Sequence, residues 1–80
     1  MSYVRNFKIE KILSDWKNEC NLKYSIHYWY SNGILLICSS EVGKLIGYMG
    51  NKIYKYRNIL KEQIRDFVEV KFQEVNHHWI

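Results

Sequence analysis

The chain has no proline, no low-complexity run and no internal repeat. Nothing in its 80 residues reads as a linker, so a single domain spanning residues 1–80 is expected. No apolar stretch approaches the roughly 18 residues that a membrane span needs. The start, Met1-Ser2-Tyr3-Val4-Arg5, lacks the apolar core of a secretory signal. A cytoplasmic location is the expectation, and the initial Met1 favours a whole protein over an excised piece. Cysteine is scarce. Cys20 and Cys38 do not make a disulfide framework and read as reduced structural thiols. The three histidines are His27, His77 and His78. The adjacent pair lacks the helical spacing of a metal pair, and no cysteine or carboxylate pattern joins it, so no metal is expected. Paired carboxylates at useful spacing are absent, and no Cys or Ser sits beside a clear base. The expectation is a non-catalytic protein without a cofactor.

What the chain does have is apolar and aromatic residues, 48% and 16%, too many for a disordered tail. It is long enough for one small core. A domain of this size buries only about 60–65% of the surface its unfolded chain exposes. Lys and Arg number 12 against 8 Asp and Glu, a net charge of +4 that points toward an anionic partner. That charge is concentrated. From Asn51 to Lys61 the chain carries Lys52, Lys55, Arg57 and Lys61 and no acid.

Hydrophobic spacing predicts a helix over Val4 to Glu19, with Ile9, Ile12, Leu13, Trp16 and Cys20 on one face and Asn18 and Asn21 as stop signals. Leu22 to Tyr30 alternates in period two and predicts a strand. Asn32-Gly33 is the preferred centre of a two-residue hairpin. Ile34 to Cys38 is apolar at every position, which predicts a central strand covered on both faces. Ser39 or Ser40 is a candidate cap for a short helix over Val42 to Ile46 that Gly47 ends. A longer helix is expected from Asn51 to about Arg65, with Ile53, Tyr56, Leu60 and Ile64 as its apolar stripe. Val68 to Val75 alternates as a half-buried strand. The hairpin makes the first two strands antiparallel, and the two-helix crossover returns the last strand parallel to the second. An α+β domain is therefore expected, with a three-stranded mixed sheet and helices on one face.

Two glycines, Gly47 and Gly50, stand three apart between the two later helices. Without a Cβ the backbone turns sharply there and lets a ligand come close. The helix that starts after Gly50 presents unpaired N–H groups and a partial positive charge, a natural seat for a phosphate. The stretch Leu45-Ile46-Gly47-Tyr48-Met49-Gly50-Asn51-Lys52-Ile53 resembles the I-G-x-x-G-x-x-I signature of KH domains. The order α-β-β-α-α-β resembles the type II arrangement of that family, and the resemblance covers about Phe7 to Val75. It implies an RNA-binding protein whose glycine loop clamps the backbone of about four unpaired nucleotides, with single-stranded DNA as a related ligand. On that resemblance Gly47 and Gly50 let the loop approach the sugar-phosphate chain. Tyr48 and Met49 form the tip. Leu45 or Ile46, with Ile53, lines the apolar side of the groove. Asn51, Lys52 and Lys55 reach phosphates, and Lys44 flanks the loop.

The tip departs from the family, whose middle positions usually include a basic or small polar residue. Tyr48 and Met49 remove charge. Weaker phosphate binding, base stacking by Tyr48, and contact with a protein instead are all open consequences. The lysines could also be only a solvated face and the glycines only a tight turn. The rival function is a protein-interaction or homo-oligomerisation module. If helices cover one face of the sheet, Trp29, Ile34 and Leu36 form an apolar patch on the other. The arm before Phe7, the tail after Val75 with Trp79 and Ile80, or a second copy in a homodimer would cover it.

Overall fold

Asn6 stands immediately before the first amphipathic run. Its side-chain oxygen accepts the backbone N–H of Ile9 at 3.1 Å, satisfying one of the donors that a helix start leaves unpaired. Helix α1 (Phe7–Glu19) follows. The computed structural model describes residues 6–76. Their order is α1, strand β1 (His27–Ser31), β2 (Ile34–Ser39), helix α2 (Val42–Ile46), a single 3-10 turn over Tyr48–Gly50, α3 (Asn51–Gln63) and β3 (Glu69–Glu74). No helix among the described residues is long and apolar enough to cross a membrane.

The sheet has the order β1-β2-β3. Asn32 and Gly33 both take positive φ, 54° and 80°, as the hairpin turn requires. The register sets Trp29 opposite Leu36 and His27 opposite Cys38. β3 runs parallel to β2, with Leu36 opposite Lys71 and Ile37 opposite Phe72. The result is a small α+β domain with a mixed three-stranded sheet.

Alternation along β2 separates its faces. Leu35 and Ile37 are fully buried in one core with Ile9, Ile12, Leu13, Trp16, Leu45, Tyr56 and Leu60. Ile34, Leu36 and Cys38 face the other way and are half-buried, beside Trp29, which is 57% exposed. Cover on both faces was the expectation from an all-apolar strand. Among the described residues the helices cover one face alone. Flanking strands partly shield the other, since Trp29 and Lys71 stand on either side of Leu36. Residues 1–5 and the tail His77 to Ile80 lie outside the described residues.

Two local expectations fail for identifiable reasons. The predicted strand over Leu22 to Tyr30 is strand only from His27. Beyond the His27–Cys38 pair β2 soon ends, so the earlier residues lack a partner. Instead Glu41 Oε1 accepts the backbone N–H groups of Lys23 and Tyr24 at 2.9 and 3.0 Å. Neither serine caps α2. Its N-cap is Glu41; Ser39 Oγ accepts the Glu41 N–H at 2.9 Å, and Ser40 Oγ is buried with no hydrogen-bond partner among the described residues. The last two elements are also shorter than expected. α3 ends at Gln63, and extended backbone at Ile64, φ −110° and ψ 109°, closes it.

Trp16 joins most of these elements. It is fully buried. Its ring stacks on Tyr56 of α3 at 5.0 Å and meets Phe72 of β3 edge-on at 5.9 Å. Its indole N–H donates to the carbonyl of Leu45 in α2 at 3.0 Å. Each aromatic pair adds about 0.5–1.5 kcal/mol beyond the burial of its area. Trp16→Phe should keep part of the stack but strand the Leu45 carbonyl, costing about 1–3 kcal/mol. Trp16→Ala should cost about 3–5 kcal/mol, a large share of a small domain's stability. Urea titrations of both variants check this ranking, and equal stability for the two would contradict it.

Candidate nucleic-acid interface

Gly47 ends α2, and its N–H donates to the Gly43 carbonyl at 3.0 Å. Its backbone, φ 80° and ψ 175°, lies in a region essentially open to glycine alone. A Cβ there would sit against Asn51 Oδ1 and 2.6 Å from Lys52 Cγ. Gly50 N–H closes the turn onto the Gly47 carbonyl at 3.1 Å. Gly50 is left-handed, φ 77° and ψ 15°, yet a Cβ there would meet nothing nearer than Ile53 Cγ2 at 3.8 Å. So the two glycines are needed for different reasons, crowding plus conformation at the first and conformation alone at the second.

Between them Met49 is also left-handed, φ 53° and ψ 28°, which costs a side chain about 1–2 kcal/mol. The turn projects Tyr48 and Met49 outward, 83% and 88% exposed. Strain and two large exposed apolar residues coincide at one tip. Behind it α3 begins at Asn51 with no side-chain cap and no acidic residue in its first turn. Its leading N–H groups therefore keep the positive end of the helix dipole uncompensated by a carboxylate on the same helix.

The predicted site residues fall into four groups, the last being the lysines. Gly47, Tyr48, Met49, Gly50 and Asn51 form the turn and helix start. Ile46 and Ile53 are half-buried on its two sides. Leu45, a candidate for lining the groove, is instead fully buried, with its carbonyl bound by Trp16; it belongs to the core.

Lys44, Lys52 and Lys55 are each tied to a carboxylate. Glu19, at the end of α1, accepts from Lys52 Nζ, from Lys55 Nζ at 2.8 Å and from the Tyr56 hydroxyl at 2.5 Å. Lys55 Nζ also lies 5.3 Å from the Tyr56 ring centroid. Glu41 accepts from Lys44 at 2.9 Å. Hydrogen bonds from Lys52, then Lys55 and Tyr56, hold the Glu19 carboxyl down at about 2. The same contact raises Lys52. Burial first, then Glu19, pushes the Tyr56 hydroxyl upward. Lys44, followed by the backbone N–H groups of Tyr24 and Lys23, lowers Glu41 against the opposing effect of burial.

The basic run over Asn51–Lys61 is acid-free in sequence, but not in space. Glu19 is 33 residues from Lys52 in sequence, so no local pattern joins them. The available clue was its place three residues after Trp16, on the flank of the buried stripe of α1. Both lysines are therefore already paired with Glu19 in the free chain.

Gly47→Ala should destabilise by about 2–3 kcal/mol and Gly50→Ala by about 1 kcal/mol, the first adding crowding to backbone strain. Denaturant titration measures both, and a larger loss at Gly50 would contradict the geometry. The Glu19 contribution is fully present above the unfolded pKa of 4.5 and is lost as pH falls from there to about 2. The stability gap between the native chain and Glu19→Gln should therefore shrink across that window. A gap constant with pH would show that the carboxylate is not held by the lysines.

No protein-family model matches the chain, and no curated protein matches it; the functional reading rests on the turn, the helix start and the charges around them.

Proposed function

We propose that this chain is a type II KH-like domain that binds single-stranded RNA without catalysis, with single-stranded DNA as a related ligand. The observation that carries this reading is the strained, exposed turn over Gly47–Gly50, placed directly at the uncapped start of α3. Backbone N–H groups at such a start donate hydrogen bonds to a phosphate. The two glycines remove the side chains that would keep a sugar-phosphate chain away. Tyr48 offers an aromatic face on which a base can stack regardless of sequence. Half-buried Ile46 and Ile53 supply apolar surface beside the turn. In this reading the strand contacts Gly47, Tyr48, Met49, Gly50 and Asn51 first.

A second reading, homodimerisation, is favoured by one observation. Ile34 and Leu36 are half-buried at the centre of the open sheet face, and the neighbouring Glu69 and Lys71 offset one another in charge. Two copies that each carry +4 meet no net repulsion there. Light scattering on the native chain and on Leu36→Glu separates the readings. A dimer that Leu36→Glu dissociates supports this one, and a native monomer at high concentration rejects it.

The RNA reading predicts that a fluorescent single-stranded RNA binds more tightly than the same sequence in a duplex. Replacing both Tyr48 and Met49 with Asp should weaken binding about tenfold or more, the equivalent of about 1.4 kcal/mol, because each carboxylate repels phosphate. Both side chains are exposed, so the fold should survive. Unchanged affinity in a folded double variant would reject the loop as the binding site.

A further inference from the structure

Helix α3 carries four cations, and the structure divides them into two pairs. Lys52 and Lys55 turn toward α1, where Glu19 holds both. Arg57 and Lys61 take part in no ion pair among the described residues. Tyr54, Arg57, Asn58 and Lys61 follow a spacing of three, four and seven residues, so they are neighbours on one side of the helix. That side is opposite to the one facing α1, which carries Lys55, Ile59 and Gln63, and Arg57, on its edge toward the core residue Leu60, is half-buried. Tyr54 is 70% exposed. The stripe begins one turn after Gly50, and its first acidic neighbour is Glu62, beyond Lys61.

We infer that a single strand leaving the glycine turn runs along this outward stripe of α3, with Arg57 and Lys61 holding phosphates and Tyr54 stacking on a base. The inference rests on the RNA-binding reading and assigns the path of the strand. Alternating cations and an exposed ring are what a sequence-tolerant single-strand surface needs. Tyr54 and Lys61 are separated by about 10 Å along the helix axis, room for more than one phosphate. Arg57 adds a planar fork that pairs with two phosphate oxygens at once.

The competing path is the groove of 690 Å³ between α1 and α3, lined by Lys8, Lys11, Asp15, Glu19 and Lys55 among others. Its charges largely cancel one another. Lys11 faces Asp15 at 3.7 Å, and Lys55 faces Glu19 at 2.8 Å. A polyanion entering there must break those pairs and pass two carboxylates. Along the outward stripe it breaks none among the described residues. Lys52 and Lys55 then serve mainly to tie α3 to α1.

The experiment is anisotropy of a fluorescein-labelled uridine decamer across ionic strength, with circular dichroism to confirm folding. Arg57→Gln and Lys61→Gln should each weaken binding about threefold or more at low salt and flatten the salt slope by about 0.7. Tyr54→Ala should weaken binding about fivefold or more and leave the slope unchanged, as stacking releases no counterions. Lys52→Gln should have a smaller effect on the slope than either Arg57→Gln or Lys61→Gln. If the Arg57→Gln, Lys61→Gln double variant binds as the native chain does while the double Asp change at Tyr48 and Met49 weakens binding about tenfold or more, the path is wrong and the RNA reading stands. If the native chain does not bind the decamer at any salt, both fail.

Discussion

The hydrogen bond from the Trp16 indole to the Leu45 carbonyl fixes where the glycine turn sits. Leu45 lies two residues before Gly47, so a buried donor on α1 determines where α2 ends. One turn further along α1, Glu19 reaches Lys52, Lys55 and Tyr56 at the beginning of α3. The same helix thus holds both sides of the turn, one by a buried neutral bond and the other by a surface ionic cluster. The Trp16–Tyr56 stack lies between these anchors. Only the span from Gly47 to Gly50 is left to project, and its left-handed residues keep Tyr48 and Met49 in solvent. A flexible loop would lose that exposure by collapsing onto the core, because both tip residues are large and apolar.

The two anchors differ in how firmly they hold. The Trp16 bond is buried and cannot be exchanged for water without stranding the carbonyl. The Glu19 pairs are at the surface, where salt and competing anions weaken them. A ligand phosphate can therefore perturb the start of α3 while leaving the end of α2 in place. Glu41 serves the opposite flank in a similar way. It satisfies the backbone of Lys23 and Tyr24 while pairing with Lys44, so the chain between α1 and β1 is fastened to the beginning of α2. Both carboxylates pair with lysines that flank the turn, and among the described residues the charge on α3 without an ion-pair partner is that of Arg57 and Lys61.

Much of this was legible in the sequence because it depends on near neighbours. Asn32-Gly33 specified its own turn and therefore the Trp29–Leu36 register. Residues Tyr56, Leu60 and Ile64 marked the buried side of α3, and Gly47 marked the end of α2 to the residue. What was not legible depends on residues distant in sequence. Leu22 to Ile26 alternate as a strand should, but a strand needs a partner, and the end of β2 near Ser39 withholds it. Leu45 and Ile46 are equivalent as letters, and only the position of Trp16 decides which of them is core. The local charge count over Asn51–Lys61 could not register Glu19, brought in by the packing of α1 on α3. Asn6 was the one short-range signal overlooked, an N-cap directly before the first helical turn.

The central claim is that the turn held by Trp16 and Glu19 grips a single strand. The most direct measurement is an amide NMR titration of the labelled chain with a short single-stranded RNA. The account predicts the largest shifts at Gly47, Tyr48, Met49, Gly50 and Asn51, weaker ones continuing to Tyr54 and Arg57, and almost none at Leu36 and Lys71. Shifts confined to the open sheet face, with the glycine turn silent, would contradict it.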